Sequence, residues 1–142
     1  MAIRKANAEW KGDLFNGAGT LALGSGAYSG AYTFKSRMED GAGTNPEELI
    51  GAAHAGCYSM ALSAGLAAAG HTPESVKTQA LVHFDKVGEG FAITKIDLNV
   101  EASIPGIDEI TFQRFAADAK ANCPVSRALS ATTIELTAKL IS

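Results

Sequence analysis

Residues 49–69 form a run of 21 without a formal charge. That length is enough to cross a bilayer. The composition argues against a span, because the run is mostly Ala and Gly and carries His54, Ser59 and Ser63, which hydrocarbon tolerates poorly. A helix apolar on nearly every side is otherwise a buried helix. A chain of 142 residues has little material with which to surround such a helix completely. A second subunit is therefore expected to cover part of it. The flanks mark the helix ends. Asn45 offers a side-chain acceptor to an orphan N–H, and Pro46 suits the first helical position. Glu47 and Glu48 lie in the first turn, where the helix dipole favours negative charge. Gly70 fits the stop position, with Pro73 shortly after.

The rest of the chain reads as one domain over residues 1–142. Its 46% hydrophobic and 19% charged residues are globular values. The net charge of −3, from 12 basic and 15 acidic residues, provides no broad positive field, so nucleic acid is not an expected partner. Two cysteines and three scattered histidines give neither a disulfide framework nor a zinc spacing, so no metal and no cofactor is expected. Met1-Ala2-Ile3-Arg4-Lys5 is followed by polar residues rather than an apolar signal core, which predicts a cytoplasmic chain with reduced thiols.

Short strands are expected at residues 3–10, 19–23 and 28–38, bounded by Gly-rich turns. After the long helix, residues 76–87 and 91–104 predict a hairpin joined at Gly88-Glu89-Gly90. Ile96, Leu98 and Val100 alternate with Asp97, Asn99 and Glu101, the pattern of a sheet with one dry face. Asp108 caps a predicted helix over residues 109–121, with Ile110, Phe112, Phe115 and Ala119 as its apolar side. Cys123-Pro124 opens a shorter helix, and alternating Ile134, Leu136, Ala138 and Leu140 end the chain in a strand. The order is that of an α+β protein with segregated layers.

Few residues are equipped for chemistry. Cys57 lies mid-helix, where a cysteine is commonly a small buried hydrophobe and gains little from the helix terminus. Cys123 precedes Pro124, and at a helix start the dipole lowers a thiol pKa, so on this argument alone it is the better nucleophile. Spacing does not say whether the two sulfurs meet. His54, three residues before Cys57, shares its helix face. It is either a packed core histidine or the imidazolium partner of a thiolate. Arg37 reads as a cation ending the third strand, and Glu47 as a dipole partner.

Taken together, these residues have a known pattern. The run Gly43-Thr44-Asn45-Pro46-Glu47-Glu48-Leu49-Ile50-Gly51-Ala52-Ala53-His54-Ala55-Gly56-Cys57-Tyr58-Ser59-Met60-Ala61-Leu62, with Cys123-Pro124-Val125-Ser126, closely resembles the OsmC/Ohr family of thiol-dependent hydroperoxide reductases. Phe34-Lys35-Ser36-Arg37 resembles the place where the OsmC branch carries its active-site arginine, whereas residues 12–17 lack the earlier arginine of the Ohr branch. The resemblance implies an OsmC-like α+β fold, with antiparallel sheets packed around a long central buried helix in an intertwined homodimer. It implies Cys57 as the peroxidatic thiol and Cys123 as the resolving thiol, joined in turnover by an intramolecular disulfide. Arg37 would hold the Cys57 thiolate and the peroxide, and Glu47 would orient Arg37. The family pattern thus reverses the order that the dipole argument gives the two cysteines. The implied substrate is an organic hydroperoxide, favoured by an apolar mouth that Tyr58 and Met60 are expected to line. The implied reductant is an external dithiol such as a lipoylated protein. The competing readings are a general thiol–disulfide oxidoreductase, disfavoured by the lack of C-x-x-C, and a non-enzymatic dimeric binding or stress protein.

Overall fold

A computed structural model describes residues Met1–Ser142. The chain forms two compact units, Met1–Leu49 and Ile50–Ser142.

The first unit is a three-stranded antiparallel meander of β1 (Ala6–Lys11), β2 (Ala18–Leu23) and β3 (Ser29–Tyr32). The expected third strand over residues 28–38 ends early. Thr33 instead caps a short helix, α1 (Phe34–Met38). The Thr33 hydroxyl accepts from the Ser36 amide at 3.1 Å, and the Ser36 hydroxyl accepts from the Thr33 amide at 2.9 Å. This reciprocal capping box satisfies two otherwise orphaned donors and turns the chain out of the sheet. Gly43 then brings the chain back against β3 with φ at +112°. A Cβ there would lie 2.5 Å from the Ala31 carbonyl oxygen, so the position requires glycine.

The long helix α2 (Pro46–Ala68) opens in this unit with Asn45 as its cap, the Asn45 Oδ1 accepting from the Glu48 amide at 2.8 Å. In the second unit it buries one stripe, Gly51, His54, Tyr58, Leu62 and Leu66, at helical spacing. Its other faces, including Ala52, Ala53, Gly56, Met60 and Ala64, stay exposed within one chain. Gly51 permits close packing, since a Cβ there would meet the Val82 side chain at 3.3 Å.

The second sheet has the order β4 (Ser75–Val87), β5 (Gly90–Ser103) and β6 (Thr133–Leu140). Gly88, at φ +61°, takes the first corner of a two-residue hairpin loop between β4 and β5. The expected alternation holds, with Ile96, Leu98, Val100 and Ala102 buried on one face. The strand β6 runs parallel to β5, so this sheet is mixed rather than wholly antiparallel. The crossover explains it: α3 (Glu109–Asn122) and α4 (Pro124–Ala128) carry the chain back to the starting end of β5. Asp108 caps α3 as predicted, its carboxylate accepting from the Thr111 amide at 2.9 Å. Phe112, Ala116 and Ala119 form the buried side of α3. Ile110 does not belong to it, being 84% exposed.

Leu62→Ala, in the buried stripe of α2, is expected to destabilise the protein by about 2–5 kcal/mol through lost burial and a residual cavity. Asp108→Ala, which removes only a cap, is expected to cost about 1 kcal/mol. Urea denaturation of the two variants measures the difference, and equal costs would contradict this account of the core.

Candidate active site

In the first unit, the segment between α1 and α2 is tied by side chains. The Ser36 hydroxyl donates to the Thr44 carbonyl at 2.7 Å, and the Asn45 amide donates to the Ser36 carbonyl at 3.2 Å. The Thr44 hydroxyl donates to Glu48 Oε1 at 2.6 Å. These bonds fix the first turn of α2 against α1. As a result Arg37 Nε donates to Glu47 Oε1 at 2.8 Å. Glu47 is buried, whereas the Arg37 side chain is 38% exposed. Glu47 Oε2 is buried without a hydrogen-bond partner. Arg37 thus sits on a helix, not at a strand end, and one nitrogen of its guanidinium is pinned by a carboxylate that has an unused oxygen.

In the second unit, Cys123 ends α3 and begins α4. Pro124 makes this junction, because it disfavours helical backbone at the residue before it and suits the first position of the next helix. The Cys123 side chain takes no part in capping. Its sulfur lies 2.9 Å from the sulfur of Cys57, across 66 residues of sequence. Both cysteines are free thiols, Cys123 buried and Cys57 half-buried. The separation is less than ~1 Å beyond the covalent S–S length of ~2.05 Å.

The environments of the two thiols differ. Burial pushes the Cys57 thiol above its ordinary value, and the hydrogen bond with Cys123 raises it further. Burial also pushes Cys123 up. The polar groups of Cys57, Ser126 and Val125 around it outweigh that effect and leave its pKa below the ordinary value. In the contact between them the Cys123 thiol donates to the Cys57 sulfur.

His54 does not pair with Cys57. It is fully buried, and its Nε2 lies 2.7 Å from the Ser126 hydroxyl oxygen. Burial holds its pKa below the ordinary 6.5, so the ring is neutral and the thiolate–imidazolium alternative is set aside. Tyr58 does not line a mouth. It is fully buried, and its hydroxyl donates to the Ala116 carbonyl at 2.9 Å. Burial pushes its pKa up. Met60, at 76% exposed, lies outside the buried stripe. Ser126 had no assigned part in the sequence reading. Its signal was its place in the run Cys123-Pro124-Val125-Ser126.

A family model described as OsmC-like protein matches residues 39–139, a stretch that holds both cysteines and Glu47. The chain belongs to the OsmC-like family. Peroxiredoxin OsmC of Escherichia coli (strain K12) is 54% identical to it over 129 residues, covering 90% of each chain, and Peroxiredoxin OsmC of Shigella flexneri matches to the same extent. An OsmC-like protein of unknown function from Vibrio cholerae has the same fold, with a TM-score of 0.76 at 18% identity, covering 97% of this chain and 99% of its own. An organic hydroperoxide resistance protein OsmC from Legionella pneumophila gives 0.70 at 22% identity, covering 99% and 98%. The OsmC-like fold accounts for the α+β layers and the long helix.

The neutral His54 gives this OsmC-like chain a pH signature. Its folded pKa is depressed, so its contribution to stability is complete above the unfolded value near 6.5 and is lost as pH falls through the lower folded value. Asp13, Asp97 and Asp108, whose carboxyls are held below 3.8, act only in stronger acid. Urea melts stepped from about pH 7 to about pH 5 are expected to show falling stability, and His54→Gln to flatten the slope. The same slope in both proteins would assign it to other groups.

Proposed function

We propose that this chain is a thiol-dependent peroxidase that reduces organic hydroperoxides to alcohols, with Cys57 as the attacking thiol and Cys123 as the resolving thiol. The observation that carries the reading is the 2.9 Å approach of two free thiols in a chain 54% identical to Peroxiredoxin OsmC. The order of the two cysteines is supported by access. Cys123 is fully buried, whereas Cys57 is half-buried and open to a peroxide. Cys57 also packs against the apolar core, which favours a substrate with an alkyl tail over hydrogen peroxide.

In the proposed cycle, the Cys57 thiolate attacks the terminal peroxide oxygen. An S–O bond forms, the O–O bond breaks, and the alkoxide leaves as the alcohol. The Cys123 thiolate then attacks the Cys57 sulfenic acid sulfur. The S–S bond forms, the S–O bond breaks, and hydroxide leaves as water. The two thiol protons depart with the alkoxide and the hydroxide. An external dithiol, a lipoylated protein being the proposed cellular class, reduces the disulfide and is itself oxidised.

Burial and Cys123 both oppose ionisation of Cys57, so a cation must act on it. Arg37 is assigned that role, with Glu47 fixing the guanidinium plane. A planar fork is able to contact sulfur and peroxide oxygen together, which a lysine ammonium does poorly. We place both units in one functional domain over residues 1–142, acting in the cytoplasm as a homodimer whose second copy covers the exposed apolar faces of α2.

Cumene hydroperoxide consumption with dithiothreitol tests the reading. Cys57→Ser is expected to abolish turnover, while Cys123→Ser keeps some dithiothreitol-supported activity. Loss in Cys123→Ser with activity retained in Cys57→Ser would reverse the two roles. Arg37→Lys is expected to lower kcat/KM by at least ~10-fold, the loss typical of a transition-state donor. Near-native turnover by a folded Arg37→Lys protein would remove Arg37 from the mechanism.

A further inference from the structure

Two sulfurs held this close have a chemistry that does not depend on peroxide. Cys57 and Cys123 are free, and their sulfurs lie 2.9 Å apart without a covalent bond. Neither backbone gives way easily. Cys57 sits within the 23-residue helix α2. Cys123 is held on one side by its amide, which donates to the Ala119 carbonyl at 2.9 Å, and on the other by Pro124. A ligand shared by both sulfurs must therefore accept a short span.

Thiolates select soft centres, and geometry sorts those centres. At sulfur bonds of about 2.3 Å, the length that zinc takes, a linear two-coordinate ion holds its sulfurs about 4.6 Å apart and a tetrahedral one about 3.8 Å. A pyramidal centre with bond angles of about 90° and bonds of that length holds them only about 3.3 Å apart. A tetrahedral ion also needs more ligands than the pair supplies, and no group of three or more His, Cys, Asp or Glu side chains is placed to hold a metal. A pyramidal centre takes the two sulfurs and needs one further substituent. Trivalent arsenic is such a centre. Its third substituent must leave on the side of Cys57, which is half-buried, because Cys123 is fully buried. Cys57 packs against the apolar core, so a hydrocarbon substituent gains burial that a hydroxyl does not.

We propose that Cys57 and Cys123 form a chelating site for trivalent organic arsenicals that carry one carbon substituent, held through both sulfurs at once. The step is a condensation. The arsenical enters as R–As(OH)₂. Two S–H bonds and two As–O bonds break, two As–S bonds form, and two waters leave. Arsenic stays trivalent and neither sulfur is oxidised, so no co-reactant is required. An occupied pair has no thiol left for a peroxide, and a pair closed as a disulfide has none left for arsenic. The two states exclude each other.

Phenylarsine oxide, which hydrates to the dihydroxy form, is the probe. The reduced, unmodified protein is expected to take up one equivalent by native mass spectrometry and to lose both of its titratable thiols. The adduct is expected to survive an excess of 2-mercaptoethanol and to be stripped by 2,3-dimercaptopropanol, which offers a chelate of its own. Cys57→Ser and Cys123→Ser each leave one sulfur and are expected to bind at least ~100-fold more weakly, the loss that follows when a second contact is no longer intramolecular. Uptake of two equivalents overturns the proposal, because the sulfurs then bind separately. So does release from the unmodified protein by the 2-mercaptoethanol concentration that strips the single-cysteine variants. Displacement of the arsenical by an equal concentration of Zn²⁺ overturns the assigned geometry. Stoichiometry and the two competitor thiols are read on the unmodified protein, so those arms do not rest on the folding of a variant. No arm uses peroxide, so the outcome is separate from that of the hydroperoxide reading.

Discussion

A helix of 23 residues that carries no charge beyond its first turn has almost no polar side with which to meet water, and the second unit is built around that constraint. Within the second unit, α2 buries only the stripe Gly51, His54, Tyr58, Leu62 and Leu66. Every other large element of the unit packs on that stripe or on its neighbours. The dry face of β5 joins the same core, as do Phe112 and Ala119 of α3. Because the stripe includes His54 and adjoins Cys57, the residues that fill the core also place the chemistry. A rotation of α2 that buried another face would separate the sulfurs and unpair His54 at once.

Polar groups inside such a core need partners, and the short junction at Cys123 supplies them. Pro124 breaks the chain between α3 and α4, which leaves the Ser126 hydroxyl at the start of α4 to meet His54. The same break leaves Cys123 facing Cys57. A similar economy operates in the first unit, where one serine, Ser36, both completes the capping box of α1 and holds Thr44 at the start of α2. Glu47 reaches Arg37 because those two helix ends are tied together.

Much of this was legible in local sequence. Asn45-Pro46-Glu47, the Gly88 hairpin and the Asp108 cap each involve residues within a few positions of one another, so their chemistry is complete in a short window. The capping box at Thr33 and Ser36 was equally local, but aromatic Tyr32 and Phe34 read as a continuing strand and moved Arg37 onto the wrong element. The direction of β6 was not legible. Alternation reports which face is dry, and an alternating strand reads the same whichever way it runs. The reading of His54 as a packed core histidine holds, but its partner lies 72 residues away and was not legible. Tyr58 was read as a pocket residue for a related reason. Its neighbours along the helix are visible in sequence, whereas the Ala116 carbonyl that binds its hydroxyl is not.

The rigidity of the Cys123 junction has a kinetic meaning of its own. Proline restricts the backbone on one side of the cysteine, and a helical hydrogen bond from its amide to Ala119 restricts the other. The sulfur consequently has little space to explore, and what it does explore is next to Cys57. Well-oriented groups of this kind behave as if present at effective concentrations of about 10⁵ M or more. A second oxidant molecule in solution reaches nothing comparable. Under the proposed roles, a sulfenic acid at Cys57 is captured by its neighbour before it can climb to the sulfinic state, from which thiols do not return it. On that assignment, the fold protects the attacking sulfur by keeping a competitor for it permanently at hand.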